Sequence, residues 1–291
     1  ADTDAYFTPP PTTDYTLSRP AADEQLLTFP SAFTTPHAEN NTVYVRLFAP
    51  RKAPAGPKAI VLVLPQWNSN ADGHVGLSLL LAMHGMTAAR MSLPYHDRRM
   101  PPELHRADYI VSANVGRTVQ VCRQAVLDAR RAIAWCAAQG YERIGILGSS
   151  LGSCLSLLTT AHEPLIQAAA LNHVSPYFAD VVWRGISTAH VREGLDGHID
   201  LDLLRQLWRP INPSEYLARL RDRRILLVYA KYDLTFPVDL SRELVRQFEA
   251  ADVPYDLSVL HCGHYTSGKT PFKFIDGLVL SRFLRRALLA P

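Results

Sequence analysis

The chain has 291 residues, 47% hydrophobic and 20% charged, with a formal net charge of +3. That composition describes a soluble globular protein with a sizeable core, as one large α/β domain or two small ones. So weak a positive balance, without a Lys/Arg block, argues against a nucleic-acid partner, and no apolar run approaches the roughly 20 residues of a membrane span.

A start at Ala1 without Met fits a removed leader or a trimmed end equally, so the compartment stays open. Residues 1–28, rich in Pro, Thr and Asp, read as an arm lying over the surface. Asn40-Asn41-Thr42 is a lone glycosylation sequon. Residues 42–49 alternate apolar and polar, as a half-exposed strand does, and 50–57 form a turn. The unbroken β-branched and Leu run at 59–64 predicts a strand buried on both faces. Residues 73–84 have helical spacing stopped by Gly85, and 87–93 predict another strand. A long helix is expected over 107–138, with Val111, Val115, Val119, Cys122, Val126 and Ile133 on one stripe and Gly140 ending it. Cys122 and Cys136 then lie about 21 Å apart at ~1.5 Å per residue and cannot bridge. Cys154 and Cys262 complete no disulfide framework, and Cys154 is expected to be buried as a small hydrophobe.

Residues 144–152 read Ile-Gly-Ile-Leu-Gly-Ser-Ser-Leu-Gly. An apolar strand over 143–147 runs into Gly148-Ser149-Ser150-Leu151-Gly152, and a helical segment follows at once. Gly-x-Ser-x-Gly at such a junction is a nucleophile elbow: the turn strains the serine, and glycines two positions away relieve the crowding. Further strands are expected at 168–174, 225–230 and 254–260, with a closing helix over 271–289. Strands alternating with helices predict an α/β fold, a mostly parallel, doubly wound sheet covered on both faces. The interval 175–224 is too long for a plain connection and carries helical patterns such as 199–207. It reads as a small helical cap inserted between core segments 29–174 and 225–291.

A serine hydroxyl needs a base, and the base an orienting carboxylate. In this architecture the order is Ser, acid, His, each on a loop at the carboxyl end of a strand. Asp233 follows the strand over 225–230, and His264 follows the one ending at Leu260. Ser150 is therefore assigned as nucleophile, His264 as general base then general acid, and Asp233 as its orienting carboxylate. Ser149 is a neighbouring candidate, but only Ser150 has glycine at both second positions. His261 is a rival base at the strand end, and Asp239 a rival acid that opens a helical pattern, where a charge suits the helix dipole. His261, Cys262 and His264 also offer zinc-ligand chemistry, without a second cluster of matching spacing. No metal or cofactor is expected. The oxyanion hole needs two backbone N–H donors. Leu151 supplies one, and the loop Pro65-Gln66-Trp67-Asn68 the other; Pro65 has no N–H, leaving Gln66 or Trp67.

With elbow, nucleophile, acid and base in order, residues 40–290 resemble the α/β-hydrolase superfamily. Within it, the short cap and plain core resemble esterases of the dienelactone hydrolase and acetyl xylan esterase kind. The His-Gly pair common in the oxyanion loop reads Pro65-Gln66 here, which aligns Trp67 as the donor. The resemblance implies cofactor-free two-step acyl transfer through an acyl-Ser150 intermediate, acting on a small-molecule carboxylic ester. A peptidase or amidase, a lipid esterase, or a silent hydrolase fold used for binding are the alternatives. Trp67, Tyr95, Tyr177, Phe178, Trp183 and Trp208 either line a cleft or pack the cap. His96, Arg98, Arg99, His105 and Arg106 form a basic stretch able to receive an acidic group or to face solvent. Oligomeric state is not readable.

Overall fold

The structure, a computed structural model, describes residues 2–21, 24–52 and 56–290. Ala1 and part of the turn expected over 50–57 (residues 53–55) lie outside them. One nine-stranded sheet organises the described residues, in the order β1-β2-β3-β5-β4-β6-β7-β8-β9. The strands are β1 (Thr16–Ala21), β2 (Glu24–Pro30), β3 (Thr42–Phe48), β4 (Ala59–Leu64), β5 (Thr87–Met91), β6 (Arg143–Ser149), β7 (Ile166–Asn172), β8 (Arg224–Ala230) and β9 (Asp256–Leu260). β1, β2, β3 and β5 pair antiparallel; from β5 through β4 to β9 every pairing is parallel. The helices are α1 (Thr3–Tyr6), α2 (Val75–Met83), α3 (Val115–Ala138), α4 (Leu151–His162), α5 (Phe178–Arg184), α6 (Ala189–Glu193), α7 (Leu201–Leu207), α8 (Val238–Ala250) and α9 (Phe272–Leu289).

Alternate residues of the buried strands build two cores. Ile60, Leu62 and Ile146 pack against α3 and α4, while Val61, Val63, Leu147 and Val228 meet Leu81 of α2 and Leu280 and Leu284 of α9. Both faces being covered, β4 is apolar at every position, whereas β3 alternates buried and half-buried residues. This is the doubly wound, mostly parallel arrangement expected. No helix of the described residues is long and apolar enough to cross a membrane.

The segment read as an arm, residues 1–28, divides. Arg131 donates to the Pro10 carbonyl at 2.8 Å and Phe7 is fully buried beside His162, so the first part does lie over α3 and α4. Residues 16–21 and 24–30, however, form β1 and β2 and extend the sheet; residues 22 and 23 of the expected arm lie outside the described residues. Pro20 is tolerated in β1 because that strand is the sheet edge.

The helix expected from 107 begins only at Val115. Ala107 is committed elsewhere: its N–H donates to Asn68 Oδ1 at 2.8 Å, and its carbonyl accepts from Trp67 Nε1 at 2.9 Å. Asn114 then caps α3, its side chain accepting the Arg117 N–H at 3.0 Å. Asn40 of the sequon is fully buried, bonded to Gln124 and to the Tyr95 amide, so no glycan fits there. All four cysteines are free and buried.

Candidate active site

β6 ends at Ser149, α4 begins at Leu151, and Ser150 alone makes the turn, with φ 55° and ψ −120°. An ordinary L-residue is strained there. The elbow holds because its neighbours can close on it: a Cβ at Gly148 would strike the Gly152 backbone, and one at Gly152 would strike the carbonyls of Leu64 and Pro65. The Ser150 N–H continues the ladder by donating to the Asn172 carbonyl at 2.8 Å.

The loops after β8 and β9 bring Asp233 and His264 to this turn. His264 Nδ1 lies 2.8 Å from Asp233 Oδ2, and its Nε2 lies 3.1 Å from Ser150 Oγ. A carboxylate only accepts, so Nδ1 carries the proton and Nε2 is free to accept that of Ser150. The other carboxyl oxygen, Asp233 Oδ1, accepts from the amides of Thr235 and Phe236 at 2.9 and 2.8 Å. Burial pushes this carboxyl up, but hydrogen bonds from His264 and the Phe236 amide outweigh burial and hold it well below the usual carboxylate range. The Phe236 ring stacks on His264, with centroids 5.3 Å apart, fixing the ring plane.

His173 did not stand out in the sequence. It follows β7 with φ 59°, and its Nδ1 lies 3.4 Å from Asp233 Oδ2. Its Nε2 is 3.2 Å from Ser267 Oγ. The Ser267 hydroxyl donates to the His264 carbonyl at 2.6 Å, so His173 Nε2–H must donate to Ser267. Through Ser267, His173 thus braces the backbone of His264; with its ring proton on Nε2, its Nδ1 makes no hydrogen bond to Asp233. Burial holds it below the ordinary histidine range, against the pull of Asp233.

Ser149 points away from this network, its Oγ 2.9 Å from His74 Nε2. His261 is exposed at the end of β9. Asp239 sits in the first turn of α8, paired with Arg184 at 2.8 Å. The zinc reading of His261, Cys262 and His264 finds no matching cluster among the described residues. The groups that do converge, within 4.8 Å, are His173, Asp233 and His264, and there both Nδ1 atoms face one carboxyl oxygen.

The Leu151 amide opens α4 at the elbow, and neither it nor the amides of Gln66 and Trp67 donate to another group among the described residues. The loop carrying Gln66 and Trp67 is held by His96. Its Nδ1–H donates to the Pro94 carbonyl at 2.8 Å, and its Nε2 accepts the Asn68 N–H at 3.0 Å. A carbonyl only accepts and an amide only donates, so His96 is neutral with one tautomer; burial pushes it down to about 4. The basic stretch therefore splits. His96 and Arg99 are buried, Arg99 paired with Asp128 at 2.8 Å, while Arg106 lies over the Trp67 ring at the cleft. Of the aromatics, Trp67 and Phe178 line the cleft, whereas Trp208 and Tyr95 are core.

The cleft above Ser150 has a volume of about 1190 Å³. Phe178, Val181, Val182 and Thr188 border it from residues 175–224, and His190 of α6 stacks on Trp67.

No protein-family model and no curated protein matches this chain. Solved structures do match its shape. An acetyl xylan esterase from Paenibacillus sp. R4 superposes with a TM-score of 0.75 and 14% identity, over 99% of this chain and 92% of that one. The acylaminoacyl peptidase of Pyrococcus horikoshii gives 0.71 and 13%, over 96% of this chain. This chain spans 43% of that peptidase's length. An esterase from Pyrococcus furiosus gives 0.63 and 14%, over 97% and 98%. These likenesses show the fold alone: the chain has the α/β-hydrolase fold.

Proposed function

We propose that this protein is a serine hydrolase that cleaves carboxylic esters through an acyl-enzyme intermediate. The observation that carries the reading is the unbroken chain of hydrogen bonds from Asp233 through His264 to Ser150 at a strained strand-to-helix turn. Ser150 Oγ attacks the ester carbonyl while His264 Nε2 accepts its proton. The amides of Leu151 and of Trp67 or Gln66 receive the developing oxyanion. The tetrahedral adduct expels the alcohol, protonated by His264, and leaves acyl-Ser150. Water then attacks the acyl group, passing its proton to His264, and the departing Ser150 oxygen takes that proton back. Asp233 keeps Nδ1 protonated and steadies the transient imidazolium, while His173, through Ser267, braces the backbone of His264. Residues 175–224 act as a cap that roofs the cleft.

Fluorophosphonate labelling located by mass spectrometry, with p-nitrophenyl acetate and butyrate turnover, tests the proposal. Ser150 is expected to carry the adduct, and Ser150→Ala to lose both adduct and turnover while remaining folded. No adduct at Ser150, or unchanged turnover in the variant, overturns it. A peptidase or amidase is the second reading, favoured by the likeness to acylaminoacyl peptidase. Turnover of peptide anilides above that of matched esters would select it.

A further inference from the structure

The cleft continues past the Ser150 hydroxyl to a side of the sheet that the ester chemistry does not use. Ser149 and Asn172 are register partners on β6 and β7. Their side chains bond to His74 at the start of α2 and to Asp276 of α9, so this chamber lies between those two helices. Asn172 Nδ2 donates to Asp276 Oδ2 at 2.8 Å. The other carboxyl oxygen, Asp276 Oδ1, and Asn172 Oδ1 have no hydrogen-bond partner among the described residues. Yet only 8% of Asp276 and 4% of Asn172 is exposed, and both line the cleft that reaches Ser150.

Two buried acceptors side by side without a donor are an unmet demand for one. Leu77 and Leu80 of α2 and Phe274 of α9 make the surrounding wall apolar, so the donor must belong to something that fills the space. Lys273 borders the same cleft, and its ammonium disfavours a cationic ligand while leaving a neutral donor unaffected. Burial raises the Asp276 carboxyl to about 6, and a hydroxyl donated to its free oxygen would favour the ionised form.

We propose that Asp276 and Asn172 form a subsite that receives a hydroxyl group carried by the substrate, on α9 and on the strand next to the elbow. This rests on the hydrolase reading and narrows it to esters with a free hydroxyl in the alcohol or the acyl half.

The test compares kcat/KM within two matched pairs: glyceryl monobutyrate against propyl butyrate, and ethyl 3-hydroxybutyrate against ethyl butyrate. The hydroxylated member of at least one pair is expected to be preferred about tenfold, the discrimination given by one ordinary hydrogen bond. The pair that responds identifies the half of the ester that enters. Asp276→Leu is expected to bring the preference within about twofold of unity, and Asp276→Asn, which keeps one acceptor, to lower it about threefold. Equal kcat/KM in both wild-type pairs overturns the subsite, as does a preference that survives Asp276→Leu. If the Leu variant does not fold, an unchanged preference in Asp276→Asn overturns it. The two proposals fail separately. No turnover of any ester, with no adduct on Ser150, removes the hydrolase reading, whereas equal turnover of both members removes only the subsite.

Discussion

Replacing Asp233 with asparagine changes one atom and tests the proposed roles of all three groups. The amides of Thr235 and Phe236 can only donate, and both point at Oδ1. The asparagine carbonyl must therefore take that position, which turns its NH2 towards His264 Nδ1, where a carboxyl oxygen lies 2.8 Å away in the native protein. Nδ1 then becomes the acceptor and the ring proton moves to Nε2, the atom 3.1 Å from Ser150 Oγ. A protonated Nε2 cannot accept the serine proton. Rotating the amide to restore the native tautomer leaves two buried N–H groups facing an NH2, at about 1–3 kcal/mol each, or about 2–6 kcal/mol together. At ~1.4 kcal/mol per tenfold, kcat for p-nitrophenyl butyrate is expected to fall by about 30-fold to 10⁴-fold, with the fold intact by circular dichroism. A folded Asp233→Asn variant that loses less than about tenfold in kcat refutes the tautomer argument and the role given to Asp233.

Two further outcomes are expected. Burial holds His74 and His96 down to about 4 against an ordinary 6.5, so the folded chain refuses protons that the unfolded chain binds. Their contribution to stability is complete above pH 6.5 and is lost as pH falls through about 4. Urea midpoints measured from pH 8 to 4 should decline across that window, less steeply in His96→Gln, and midpoints independent of pH contradict the assignment. Gly152→Ala drives a methyl group into the backbone carbonyls of Leu64 and Pro65, neither of which can rotate away. A loss of roughly 3 kcal/mol or failure to accumulate as folded protein is expected from denaturant titration, and a change below about 1 kcal/mol contradicts the close approach.

The parts of this molecule with a strong local signal were legible before any coordinates. The strand at 59–64 matches β4 to the residue, because a segment buried on both faces must be apolar throughout. The strained turn at Ser150 announced itself through its flanking glycines, and the loops that bring Asp233 and His264 to it followed from strand succession. What escaped depended on contacts distant in sequence. Residues 16–21 and 24–30 carry too short an alternation, broken by Pro20, to read as strands, and β2 gains its order from β3 and β1 from β2. The start of α3 is set by Trp67 and Asn68, about 40 residues upstream, which occupy the backbone of Ala107. His173 sits in an unremarkable Asn-His-Val, and His96 was grouped with the arginines beside it. Only tertiary structure reveals that one faces Asp233 and the other grips the Asn68 amide. Asp276 looked like any helical acid until its burial was known.

The serine and its imidazole are 114 residues apart in the chain, and the strands that support them, β6 and β9, are separated in the sheet by β7 and β8. During synthesis the hydroxyl therefore emerges well before the ring that would arm it. A nascent chain that has finished its elbow but not its final strand carries an inert alcohol, incapable of attacking anything it meets. On the proposed mechanism, competence arrives only when β9 zips onto the sheet edge and brings His264 to the elbow.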